Sequence, residues 1–299
     1  MKVRTALFSA ALGLGALSLP IAALPAGTAT ASTAAHVSSS PVQVHGDLHL
    51  AKGVHIPTTH LPSPKQIGNG TNGSKLYDSN NWSGYAAVGN KGVKLTAVGA
   101  EFTVPSVNCA ASSPGTFGAW TSEWVGLDGF SNSSVEQEGV SAECTSTTAA
   151  PTYYAWYEMY PDATEAYTGA INPGDAIIVG TGKYKTGNNF QLTVTDVTSD
   201  SGFSTEQACP SGSTCPAASA EVIMEAPYED GILPLADYGI ATFASSQVAI
   251  NFKAKANFSG SSTSYQLAQI NMVSSSNAPE STTGGFYGGS AFSTTWVSS

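Results

Sequence analysis

The chain predicts an all-β fold, an antiparallel sandwich or barrel, on three observations. Short runs alternate apolar and polar residues. Clusters of glycine, serine, asparagine and proline separate those runs. No segment carries a convincing 3.6-residue apolar period. The body is long enough, at about 220 residues, for one large β domain with a sizeable core.

Taken in order, residues 1–31 read as a signal peptide. Lys2 and Arg4 precede an apolar run from Ala6 to Ala23, and Ala29-Thr30-Ala31 fits a signal-peptidase site. The alternative, a transmembrane anchor, suits an alanine- and glycine-rich run poorly. Residues 32–77 read as a pro-segment and linker. They hold all five histidines (His36, His45, His49, His55, His60), and Gln66 to Lys75 is rich in glycine and asparagine. A passive spacer is the plainer reading of the same stretch. The β domain is then 78–299. Its expected strands include Val98 to Val104, Thr152 to Tyr160, Phe190 to Val197, Ala220 to Ala226, Val248-Ile250-Phe252 and Tyr265 to Val273. Four cysteines in an exported chain suggest two disulfides. Cys209 and Cys215 close a short loop, so they are paired, which leaves Cys109 with Cys144.

Charge and residue usage exclude several functions. From Leu76 onward six lysines face twenty carboxylates, a net of −14, so nucleic acid and anionic membranes are poor partners. Charged residues are sparse, which gives acid denaturation little leverage. No histidine follows His60 and the only arginine is Arg4. A Ser-His-Asp triad, a Cys-His pair and most zinc sites are therefore absent from the body. Hydrolytic chemistry there would need a carboxylate to move the proton, which suits acid conditions.

Two strands place carboxylates among bulky residues. Tyr154, Trp156, Glu158 and Tyr160 share one face of Thr152 to Tyr160. Glu221, Ile223 and Glu225 share one face of Ala220 to Ala226. A buried glutamate is costly unless it is paired or functional. Periodicity alone equally allows strands with one face in solvent.

Four blocks narrow that choice. They are Asn81-Trp82-Ser83-Gly84-Tyr85; Trp124 to Gly129 (WVGLDG) followed by Val135 to Gly139 (VEQEG); Tyr154 to Pro161 (YAWYEMYP); and Ala220 to Glu225 (AEVIME). In this order and spacing, over roughly Asn80 to Ser299, the chain resembles the glutamic peptidases, or eqolisins. The resemblance implies a lectin-like (concanavalin-type) fold, a two-sheet antiparallel β-sandwich. It implies a catalytic glutamine at Gln137 and a catalytic glutamate at Glu225. Trp124, Asp128 and Glu158 match residues that line the family's cleft, with Trp82 nearby; Asp128 and Glu158 are expected to hold Glu225 or water. Each tryptophan has core packing as its alternative role. Glu221 is expected to be structural. Glu136 and Glu138 depart from the fungal pattern, and charge beside Gln137 is expected to raise neighbouring carboxyls.

The expected function is that of a secreted acid endopeptidase. Glu225 takes a proton from water and returns it to the leaving nitrogen, while the Gln137 amide supports the oxyanion. No acyl-enzyme, metal or cofactor is required. The expected partners are polypeptide substrates and the chain's own pro-segment, and the chain is expected to be a monomer. The competing reading is a carbohydrate-active sandwich. It would be a retaining glycosidase using Glu158 and Glu225, or a sugar-binding module. The pro-segment is expected to mask the cleft near neutral pH, its histidines, charged below about pH 6.5, strengthening its hold on the acidic body. Stronger acid would discharge the body and release the segment, with a cut between Leu61 and Tyr77.

Overall fold

The computed structural model describes residues 56–59, 62–167, 169–253 and 255–299. The proposed signal peptide, most of the pro-segment and all five histidines lie outside those residues. The described residues contain strands, turns and loops, and no helix.

Two layers can be traced through the strand pairings. The first runs, neighbour to neighbour, through β1 (Lys65–Asn69), β2 (Lys75–Ser79), β15 (Tyr265–Val273), β3 (Trp82–Gly89), β12 (Ser219–Glu225), β5 (Ala119–Leu127), β6 (Val135–Cys144), β7 (Thr152–Tyr160) and β8 (Glu165–Ala166). The second runs through β11 (Ser201–Ala208), β10 (Asn189–Asp196), β9 (Ala176–Lys183), β4 (Leu95–Thr103) and β13 (Ile240–Ile250), with β14 (Lys255–Asn257) and β17 (Phe292–Trp296) on the far edge of β13. β16 (Pro279–Thr283) pairs with both β15 and β17, so the layers are hydrogen-bonded into one system along that side. The pairings are antiparallel except for β2 with β15, which is parallel.

The alternation read from the sequence decides what each face meets. Tyr85, Val125, Leu127, Ala220 and Val222 of the first layer pack with Val98, Phe102, Val179, Phe190 and Phe243 of the second in the main core. Burying each large side chain there contributes about 1.5–3 kcal/mol. The opposite face of the first layer is also apolar, with Trp82, Trp124, Trp156, Ile223 and Ile270 in one cluster. Every residue of β5 and β12 is buried, so neither strand has a solvent face. Both expected disulfides are present, Cys109–Cys144 and Cys209–Cys215, with Cα separations of 5.3 and 6.0 Å.

Three expectations change. Gln66 to Lys75 is a β-hairpin, not a linker. Asn72 and Gly73 at its tip have φ of 53° and 74°, the conformation an Asn-Gly turn adopts between paired strands, and β1 and β2 pair across it. The strand expected to reach Phe252 stops at Ile250, because Asn251 and Phe252 turn with φ of 49° and 59°. Glu136 and Glu138 are sequence neighbours of Gln137 but point the other way from β6, so the carboxyl that burial raises and Glu136 helps to raise, as expected of charge there, is Glu221 and not one in the cleft. Glu138 accepts a hydrogen bond from Thr181 of β9, as the two-residue repeat of a strand requires.

Candidate active site

β12 lies between β3 and β5, and β6 lies between β5 and β7, so five adjacent strands carry the candidate residues to one face. Glu225 is in register with Trp82 on one side and Ser122 on the other. Gln137 is opposite Gly126 and Glu158. The glycine leaves room for the amide: a Cβ at Gly126 would stand 2.9 Å from the Gln137 Cβ and 3.1 Å from the Trp124 ring.

Two hydrogen-bonded units result. In the first, the Gln137 Nε2 donates to Glu158 Oε2 at 2.6 Å, and the Thr164 hydroxyl donates to Glu158 Oε1 at 3.0 Å. One amide hydrogen is thereby fixed and the other is free to serve a ligand. In the second, Trp124 Nε1 donates to Glu225 Oε2 at 2.7 Å and Asn81 Nδ2 donates to Glu225 Oε1 at 3.1 Å. Trp82 packs edge-on against Trp124, with ring centroids 5.0 Å apart. Trp124 therefore fills both roles weighed from the sequence, as a core ring and as a donor. Trp156 belongs to the apolar wall, and Trp82 adds its ring to that wall while its indole also acts on Glu225 as a donor that lowers its pKa.

Residues 56–59 lie over this face. The Thr59 hydroxyl donates to both oxygens of Glu225, at 2.8 and 3.0 Å. The Thr58 hydroxyl donates to Glu158, and the Thr59 N–H lies 3.3 Å from both Glu158 oxygens. Ile56 packs into the tryptophan cluster.

Asp128 is placed differently from expectation. It follows the last residue of β5 with φ of 73°, a left-handed conformation that Asp tolerates and that breaks the strand's alternation. Its oxygens accept from the backbone N–H groups of Ala217 and Ala218 and from Asn132 Nδ2, each at 2.7 Å. It thus clamps the loop entering β12 and makes no hydrogen bond to Glu225. Glu221 is fully buried with neither oxygen hydrogen-bonded, consistent with a role in the fold. Asn81 and Thr164 were not singled out from the sequence. Both sit outside regular strands, where alternation gives no signal, although Asn81 opens the block that contains Trp82.

Burial dominates the electrostatics. It raises Glu225 to about 8; the Thr59 bond opposes the shift and the neighbouring Glu158 adds to it. Glu158 is also raised by burial, against the pull of bonds from Thr58, Thr164 and Gln137. The cleft therefore holds two carboxyls biased toward their protonated forms, each caged by neutral donors.

The class of protein is given by a family match: residues 80–284 match the Peptidase A4 family model, and the chain belongs to that family of peptidases. It is similar to aspergillopepsin-2 of Aspergillus niger, at 29% identity over 196 residues that cover 60% of this chain and 67% of that protein. It is similar to scytalidopepsin B of Scytalidium lignicola at 30% over 199 residues, covering 64% and 69%. A crystal structure of scytalido-glutamic peptidase with a transition state analog inhibitor shares the fold. Its TM-score is 0.59 and its identity 22%, covering 73% of this chain and 98% of that one. The chain is thus a glutamic-type endopeptidase, and the carbohydrate-active alternative falls away.

Proposed function

We propose that Glu225 and Gln137 carry the peptide hydrolysis, with Glu158, Trp124 and Asn81 positioning them. The observation that supports this reading is the pair of bonds that leaves each group one chemical task. Glu225 is held by Trp124 and Asn81, so in its ionised form it can take a proton from a water attacking the scissile carbonyl. The same carboxyl then protonates the leaving nitrogen. Gln137 has one N–H committed to Glu158 and offers the other to the developing oxyanion. The amide does not titrate, so the donor persists at any acidic pH. Water is the nucleophile, and no acyl-enzyme forms. The substrates are polypeptides, and the protein works outside the cell, in keeping with two disulfides.

The test compares full-length wild type with Glu225→Gln and Gln137→Glu on a denatured protein substrate at acid pH. Both variants are expected to fold and to lose turnover, Gln137→Glu by roughly 10²–10³. Wild-type cleavage is expected to survive chelators and serine- and cysteine-directed reagents. Normal turnover in either variant would refute the assignment.

A further inference from the structure

Residues 56–59 cross the candidate site in a way that blocks it. The Thr58 carbonyl accepts from the N–H of Tyr228 at 2.9 Å, and the two residues form an antiparallel bridge. The segment is therefore held to the body by an isolated β-bridge, a backbone contact that a peptide substrate could also make. Its side chains do what a substrate's would not. A peptide in position for cleavage needs its carbonyl at the free N–H of Gln137 and a water on Glu225. Here the Thr59 hydroxyl engages both oxygens of Glu225, and the Thr58 hydroxyl and Thr59 N–H engage Glu158. The Gln137 Oε1 has no hydrogen-bond partner. Ile56 is 6% exposed among the cleft tryptophans and anchors the strand on its amino side.

From this geometry we infer that Ile56 to Thr59 is an autoinhibitory strand, in which Thr59 stands where Glu225 would hold the attacking water. The inference rests on the assignment of Glu225 and Gln137 as the catalytic pair and adds how that pair is kept silent. Two supports are independent of each other. The hydroxyls match the two carboxyls one to one, and the Tyr228 backbone supplies a docking contact that any extended chain could use. The Thr59 hydroxyl on both Glu225 oxygens takes the place a water would need in order to be deprotonated there. The silenced state is thus steric.

The test uses the full-length chain in four forms: wild type, Thr58→Val/Thr59→Val, Thr58→Ser/Thr59→Ser, and Ile56→Asp. Two measurements are made on material shown to be uncut: the initial rate on a short peptide substrate, and hydrogen exchange at the amides of residues 58, 59 and 228. Each lost hydroxyl–carboxyl bond is expected to weaken docking roughly tenfold or more. The valine pair should therefore cleave about 10- to 100-fold faster than wild type, with exchange accelerated at all three amides. The serine pair restores the hydroxyls and should behave as wild type. Ile56→Asp should be activated through loss of the anchor. Equal rates and equal exchange in the wild-type and valine forms would overturn the inference. So would a wild-type precursor as active as the same chain cut just after Thr59. If exchange responds as expected while no form cleaves peptide, the docked strand is upheld and the catalytic pair is refuted.

Discussion

Replacing Glu221 with glutamine is expected to flatten the decline of stability with rising pH. Glu123, Glu136, Glu138 and Glu221 are at most 2% exposed, and burial holds all four carboxyls well above the ordinary glutamate value. In the unfolded chain each ionises near pH 4.3. A raised folded-state value means that the folded state binds the proton more tightly. Its stabilising effect is complete below the unfolded value and is lost as pH rises through the folded one. Between those limits each carboxyl removes about 1.4 kcal/mol of stability per pH unit. For a body of this size, 1 kcal/mol corresponds to roughly 2–4 °C in Tm. Wild type should therefore melt progressively lower from about pH 5 to pH 7. Glu221→Gln removes one titrating group, so its Tm should fall less steeply, by roughly 3–5 °C per pH unit. Glu221 is a suitable probe because no donor meets ordinary hydrogen-bond geometry at either oxygen, with only the nearby Ser219 hydroxyl opposing the rise among side-chain bonds. Calorimetry across pH 4–7 on both proteins is the assay. A wild-type Tm that rises over this range, or a variant that declines as steeply as wild type, would refute the reasoning.

Three further outcomes are expected. Trp124→Phe keeps the ring but deletes the donor to Glu225; loss of a hydrogen bond to a charged group, about 1.5–3 kcal/mol, should lower kcat by roughly 10- to 100-fold with little change in Tm. Gly126→Ala pushes a methyl against the Gln137 Cβ; it should cost most of the turnover while the disulfides still form, which peptide kinetics and thiol titration would show together. Replacing Cys109 and Cys144 by serine opens a loop with a separation of 35 residues, against 6 for Cys209–Cys215. Loop-closure entropy puts the losses at about 4 and 2 kcal/mol, measurable as a difference in denaturant midpoints.

Strand alternation made much of this site legible. It placed Glu225 and Ile223 on one face of β12, and Glu158, Trp156 and Tyr154 on one face of β7, as the structure has them. Alternation reports which face a residue takes and not what lies above it, so the contact of Thr58 and Thr59 with the carboxyls left no trace in the pattern. It also fails where the backbone leaves the extended region. Asp128 follows Trp124 and Gly126 at strand spacing, yet its positive φ swings it to the loop before β12. The glycine and asparagine around Asn72-Gly73 suggest a linker by composition, although the same dipeptide is a strong hairpin signal between alternating strands. Glu136 and Glu138 were legible in principle. If Gln137 faces the cleft, its two neighbours on a strand cannot.

The β1–β2 hairpin turns the inhibitory strand into a tethered ligand. Thr59 is followed by only five residues before Lys65, where β1 is fastened to β2 and, through it, to β15. A short tether of that kind presents its end at an effective concentration on the order of millimolar. A segment that binds only weakly as a separate peptide would therefore still saturate the cleft while attached. The position of a cut then matters more than its occurrence. Cleavage upstream of Ile56 leaves the local concentration intact. Cleavage within 60–64 abolishes it and spares the hairpin. Cleavage at the tip, near Asn72, would sever β1 from its partner and leave β2 with a bare edge.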